Sequence, residues 1–273
     1  MFVKYVRAPL LIIRNAGELL LQRVALVPEA EPAAPPPPAV SRVQENILAR
    51  RERDVLTWLC RHMPGAVTPD RLTGFGAGGA ALAFAGYAAT RVHPAFFWLA
   101  TLGIVIHWFG DSLDGSLARY RRIDRPRYGY FLDHSVDALC NLILMTGAGL
   151  SAYIRLDVAL FALLGYFMLC MYVFLYNHVS QKFQLSFLAL GPTELRVGLI
   201  GINCWMYFAG NSRIAIGGAT FSPYDLVLCG AGLVFVGLFA CNVFQVARTL
   251  RREDGLPGRP AGIPANPARS TRG

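Results

Sequence analysis

The chain has 273 residues, 54% of them hydrophobic and only 16% charged, with 26 Lys and Arg against 17 Asp and Glu, a formal charge of +9. A soluble globular domain carries about 25% charged residues, so this composition, with a mean hydropathy of +0.41, excludes one or two soluble domains and points to a polytopic membrane protein. Disorder of the whole chain is excluded by its apolar segments, and collagen or coiled-coil architecture by the absence of any such period.

In chain order, residues 1–40 form an N-terminal segment of two parts. The first, around Leu19, Leu20 and Leu21, reads as an amphipathic interfacial helix. Its start is basic (Lys4, Arg7), and the apolar run 9–13 is cut by Arg14, too short to span a bilayer and poor as a signal peptide. The second part is the proline-rich run 28–39, an extended, semi-rigid linker. Residues 41–62 turn helical and highly charged. Apolar Ile47, Val55, Leu56 and Leu59 suit a helix lying on the membrane surface. After a Pro64-Gly65 break, Thr68 reads as an N-cap with Pro69 at the first helical position.

From here the chain reads as spans. Residues 72–90 are uncharged and rich in Gly and Ala, which permits close helix packing. Further spans are predicted over 94–118, 128–154, 158–177, 197–212 and 226–247. The fold class is therefore all-α, with six transmembrane helices preceded by an amphipathic surface helix. The membrane domain covers 41–252, and the Gly-, Pro- and Arg-rich tail 253–273 reads as disordered. Arg119, Arg121, Arg122, Arg125 and Arg127 crowd the loop after the second span, whereas alternate loops carry only Arg91, Arg155 or Arg213. The positive-inside bias places both termini, and every second loop, in the cytoplasm. The six cysteines contain no CxxC pair. They read as small buried hydrophobes rather than as a metal or disulfide framework.

Ionisable groups within membrane helices are costly and default to function. Asp111 and Asp114, three apart, share one face of the second predicted span, and Asp133 and Asp137, four apart, share one face of the third. All four fall at the cytoplasmic boundary. Left alone, facing carboxylates repel one another. Hard oxygen ligands suit Mg²⁺ or Mn²⁺, and four carboxylates can hold two ions. Gly115, Ala118 and Gly129 leave room for a ligand near the backbone, and Arg119 offers a guanidinium to phosphate. Such a site suits displacement at phosphorus. Asp124, within the arginine-rich loop, reads as a simple charge partner there.

The pattern Asp111-x2-Asp114-Gly115-x2-Ala118-Arg119-x9-Gly129-x3-Asp133-x3-Asp137 resembles the signature of the CDP-alcohol phosphotransferases (CDP-alcohol phosphatidyltransferases), with every fixed position filled. The resemblance implies an integral membrane enzyme of phospholipid biosynthesis that moves a substituted phosphate group from a CDP-alcohol to an alcohol or lipid acceptor and releases CMP. It implies that Asp111, Asp114, Asp133 and Asp137 ligate two ions, Mg²⁺ or Mn²⁺, with Asp137 also the general base. It further implies that Asp114, Gly115, Ala118, Arg119 and Gly129 contact the nucleotide. Pro69, Asp70 and Thr73 resemble the family's other nucleotide-contacting stretch, with a plain helix cap as the alternative reading. Homodimers are common in the family, and the Gly/Ala-rich helices would allow one.

On the acceptor side, Gly191-Pro192-Thr193-Glu194 resembles a run in the choline/ethanolamine phosphotransferase branch. Glu194 could hold an ammonium headgroup, or Thr193 and Glu194 could simply cap a helix. Arg196 could bind an acceptor phosphate, as in the branch that transfers from CDP-diacylglycerol to glycerol phosphate, inositol phosphate or serine. His178 reads as an interfacial histidine, and His107 as one satisfied within the bundle. The competing function class is a divalent-cation transporter, which would set its acidic groups near mid-bilayer. No recognition fold surrounds the arginines, so nucleic-acid binding is not expected.

Overall fold

The computed structural model describes residues 49–180, 192–216 and 218–253. The segment 1–40, Gly191 and the tail beyond residue 253 lie outside these. The described residues form α1 (Ala49–His62), α2 (Pro69–Ala89), α3 (Phe96–Tyr120), α4 (Pro126–Leu150), α5 (Leu156–Ser180), α6 (Pro192–Ala209), a hairpin of β1 (Ile214–Ile216) and β2 (Ala219–Phe221), and α7 (Pro223–Glu253).

Local chemistry sets the ends of these helices. Thr68 caps α2, its side chain accepting from the Arg71 amide at 3.3 Å, with Pro69 opening the helix. The third expected span, 128–154, ends earlier, at Leu150. Ser151 leaves the helix in an extended conformation, and its Oγ accepts from the Tyr153 and Ile154 amides at 3.2 and 3.3 Å. α7 starts at a reciprocal cap, in which Asp225 donates its amide to Ser222 Oγ (3.0 Å) while its Oδ2 accepts from the Ser222 amide (2.8 Å). Asp225 Oδ1 also accepts from the Arg155 amide at 2.8 Å, tying this end to the α4–α5 connection. The hairpin, antiparallel with Ile214 opposite Phe221, occupies the α6–α7 connection and was not expected from the sequence.

Glycine sets the closest packing. A Cβ on Gly79 of α2 would lie 2.5 Å from the His107 backbone nitrogen, and one on Gly110 of α3 would lie 2.5 Å from the Leu72 carbonyl oxygen. Small residues thus let the α2 and α3 backbones touch, as membrane helices commonly do. α2 also packs along α4, α6 along α3, and α5 along α4 and α7. The core at these contacts includes Tyr87, Phe97, Ile104, Leu144, Met206 and Tyr224. Within it Tyr87 Oη donates to Asn203 Oδ1 (2.8 Å) and Asn203 Nδ2 donates to Thr101 Oγ1 (3.1 Å), satisfying polar groups that would be costly unpaired in hydrocarbon.

α1 lies across one end of the bundle. Leu56 and Cys60 bury against Leu72, Leu113 and Leu117, and Val55 and Trp58 stay exposed. Glu52 fixes the helix from its polar side. Its Oε1 accepts from Thr193 Oγ1 (2.8 Å), Trp108 Nε1 (3.2 Å) and Ser112 Oγ (3.4 Å), joining α1 to α6 and α3. Arg121, at the end of α3, donates to the carbonyls of Met63, Pro64 and Val67 and pins the α1–α2 linker. All six cysteines are free. Cys60 and Cys140 are buried as expected, while Cys241 is exposed on α7. Burial pushes the Cys60 thiol pKa up, against the opposing charges of Arg119 and Arg121.

Four helices, α2, α3, α5 and α7, are long and apolar enough to cross a membrane. The other two expected spans fall short for an evident reason. α4 carries Arg127, Asp133 and Asp137, and α6 has only 18 residues and includes Glu194 and Arg196. The residues that make these helices functional candidates are the ones that lower their hydropathy.

Candidate active site

The four aspartates come from two helices joined by a tight reversal. The end of α3 closes with the Ile123 amide donating to the Ala118 carbonyl (3.0 Å) and the Arg122 amide to the Arg119 carbonyl (3.1 Å). This double bond pattern requires a left-handed residue after the cap, usually glycine. Here Arg122 takes that position at φ 57°. α4 then starts at Pro126 and runs back, so that the Asp133/Asp137 face meets Asp111.

Carboxylate oxygens of Asp111, Asp133 and Asp137 lie within 4.8 Å of one another. Thr73, Gly76 and His107 join them in lining one cleft. Asp114 is oriented differently. Its Oδ2 accepts from Thr73 Oγ1 and its Oδ1 from the Gly115 amide, both at 2.5 Å. Thr73, expected to contact nucleotide, is therefore bound directly to the second aspartate. Asp70 sits at the first turn of α2 in a bidentate pair with Arg125 Nη2, at 2.7 and 2.8 Å. The Asp70 carboxylate raises the Arg125 pKa above its usual value. Arg125 also stacks over the Tyr128 ring at 4.2 Å.

The small residues differ in their surroundings. A Cβ on Gly115 would meet Arg119 Nη1 at 3.3 Å, so the guanidinium lies back across the glycine. Arg119 Nη2 donates to Ser116 Oγ at 3.4 Å. A Cβ on Gly129 would meet nothing within 4 Å. Ala118 is half-buried on the same turn as Gly115.

Arg196 is where the structure adds most. It is 8% exposed and lies inside the carboxylate cluster. Its Nη2 is 2.7 Å from Asp111 Oδ2 and 3.9 Å from Asp137 Oδ1. The same Nη2 lies 3.4 Å from His107 Nε2, and His107 Nδ1 lies 3.2 Å from the Gly76 carbonyl oxygen. The sequence offered Arg196 as an acceptor candidate but not as a partner of Asp111. His107 is satisfied within the bundle, as read, yet it touches the site. Its four-residue spacing from Asp111, one turn along the same face, was the available signal. Thr193, at the head of α6, donates to Glu52. Glu194 is half-buried in the first turn of α6, and His178 is exposed in the last turn of α5.

Three convergent carboxylates form a hard, acceptor-only donor set, which suits Mg²⁺ or Mn²⁺ completed by water or substrate phosphate. The residues present therefore fit a divalent cation. The profile of the family described as CDP-alcohol phosphatidyltransferase matches residues 62–243, well over half of the chain, and the chain belongs to that family. No curated protein matches it closely enough to stand as a relative.

Proposed function

From that membership, we propose that this membrane transferase moves a substituted phosphate group from a CDP-alcohol to an alcohol in a divalent-cation-dependent reaction of phospholipid synthesis. The observation that carries the reading is the convergence of Asp111, Asp133 and Asp137 to within 4.8 Å, in a cleft shared with Thr73. Asp111, Asp133, Asp137 and, through its remaining lone pairs, Asp114 would hold the cations. Bound there, these would neutralise charge on the pyrophosphate and on the departing CMP.

The chain's own groups do the rest. Thr73 and the Gly115 amide orient Asp114. Gly115, Ala118 and Gly129 give the nucleotide backbone access, with Pro69 and Asp70 at the opening of α2, and Arg119 supplies a guanidinium for phosphate. Asp137 accepts the proton of the acceptor hydroxyl as its oxygen attacks the β-phosphorus and the bond to CMP breaks.

For the donor we favour CDP-choline or CDP-ethanolamine with diacylglycerol as acceptor. The sequence run Gly191-Pro192-Thr193-Glu194 supports this, with Glu194 as the candidate contact of an ammonium group. The engagement of Arg196 with Asp111 agrees, since that guanidinium is not displayed for an anionic acceptor. Under the same reading six helices cross the bilayer, with the site and both termini cytoplasmic.

The experiment is CMP release by purified protein in lipid with Mg²⁺ or Mn²⁺. One arm uses CDP-choline or CDP-ethanolamine with diacylglycerol. The other uses CDP-diacylglycerol with glycerol phosphate, inositol phosphate or serine. Release only in the second arm overturns the branch. Asp137→Asn is expected to bind nucleotide normally and to lose about 10²-fold or more in turnover; full activity in that variant removes the base assignment.

A further inference from the structure

A buried guanidinium among candidate metal ligands sets up a competition. Arg196 pairs with Asp111 Oδ2 at 2.7 Å and approaches Asp137 Oδ1 at 3.9 Å. These carboxylates are two of the three that converge. A guanidinium has donors only, so His107 Nε2 must accept from it. The His107 proton then sits on Nδ1 and points to the Gly76 carbonyl oxygen, 3.2 Å away. Gly76 packs closely on α3: a Cβ there would lie 3.3 Å from the Asp111 amide nitrogen. A backbone carbonyl on α2 thus fixes the histidine, the histidine fixes the guanidinium, and the guanidinium fixes Asp111.

We propose that Arg196, positioned by His107, is an internal counter-cation of the carboxylate cluster, competing with divalent cations for Asp111 and Asp137 and so lowering the affinity of the site for metal. The inference rests on the reading of Asp111, Asp133 and Asp137 as metal ligands. Its physical basis is that one buried positive charge opposes another in a low-dielectric setting, while each oxygen it occupies is withdrawn from the incoming ion. A site tuned this way binds metal more weakly than the same carboxylates would without the guanidinium. His107 is a positioning residue in this scheme and does not touch the reacting atoms.

The test is a titration of the full-length protein in detergent with Mn²⁺ alone, reading free Mn²⁺ by electron paramagnetic resonance. Arg196→Gln removes the charge and keeps an amide donor; its Mn²⁺ affinity is expected to rise about tenfold. Arg196→Lys keeps the charge and should stay near wild type. His107→Leu removes the acceptor that holds the guanidinium and should tighten Mn²⁺ binding about threefold. His107→Gln, whose side-chain oxygen can stand near Nε2, should restore the wild-type value. Asp111→Asn separates the two levels of the argument. If it binds Mn²⁺ as well as wild type, the ligand reading fails and the inference with it. If it loses Mn²⁺ while Arg196→Gln binds no tighter than wild type, the counter-cation role alone is overturned. Equal tightening in Arg196→Lys and Arg196→Gln also overturns it. Should Arg196→Gln fail to fold, the His107 pair decides: identical affinities for the Leu and Gln variants sink the proposal.

Discussion

Gly78 and Gly79 are adjacent in sequence and opposite in environment, which makes them a matched pair for testing how helix packing controls the site. A Cβ on Gly79 would stand 2.5 Å from the His107 backbone nitrogen and 2.8 Å from the Gly103 carbonyl oxygen, whereas ordinary contact begins at 3.4 Å. The first contact is short by 0.9 Å, and both neighbours are backbone, so α2 and α3 must separate by about that distance. Overpacking of this kind costs about 1–3 kcal/mol. The displacement reaches the chemistry directly, because Thr73 and Gly76 on α2 face Asp114, Asp111 and His107 on α3. A misplacement near 1 Å can lower turnover about 10²-fold. Gly79→Ala is therefore expected to melt earlier and to lose most CMP-releasing activity. Gly78→Ala, whose Cβ would meet nothing within 4 Å, should keep both. The assays are thermal melting in detergent and CMP release in lipid. A Gly79→Ala protein with wild-type melting and activity, or equal damage from both substitutions, would refute the reasoning.

Two further outcomes follow from single contacts. Thr73→Val removes the donor to Asp114 Oδ2; a hydrogen bond to a charged group contributes about 1.5–3 kcal/mol, so kcat/KM for the CDP-alcohol should fall tenfold or more, with Thr73→Ser close to wild type. Equal values for Val and Thr would show that this bond plays no part in donor handling. Arg122→Gly relieves a left-handed conformation at φ 57° and should stabilise the protein by about 1 kcal/mol, seen as a higher melting temperature; an unchanged or lower one would contradict that.

Residues close in sequence were legible because one helical period relates them. The Asp133/Asp137 face that meets Asp111 and the Thr68 cap follow from spacings of a turn or less, whereas Asp114, on the same spacing logic, turns instead to Thr73. Arg196 was legible as an acceptor candidate but not in its place, since it meets Asp111 across 85 positions of sequence and no local period links α3 to α6. Glu52 went unread for the same reason: it bonds Thr193 across 141 positions. Arg122 escaped because the signal for its conformation is a glycine, and an arginine there looks like one more positive charge in an arginine-rich loop. α4 and α6, the two expected spans that fall short of the length and hydropathy of a crossing helix, show how a candidate carboxylate or guanidinium erodes the hydropathy by which a membrane helix is recognised.

The three donors gathered on Glu52 have a practical consequence for anyone trimming this protein. The family match begins at residue 62, and a truncation placed there would look conservative. It would delete α1, strip Leu56 and Cys60 from Leu113 and Leu117, and leave Trp108, Ser112 and Thr193 without their shared acceptor. Thr193 begins the helix that delivers Arg196 to the cluster. The shortest useful fragment therefore starts no later than Ala49, and the catalytic unit is longer than its sequence signature.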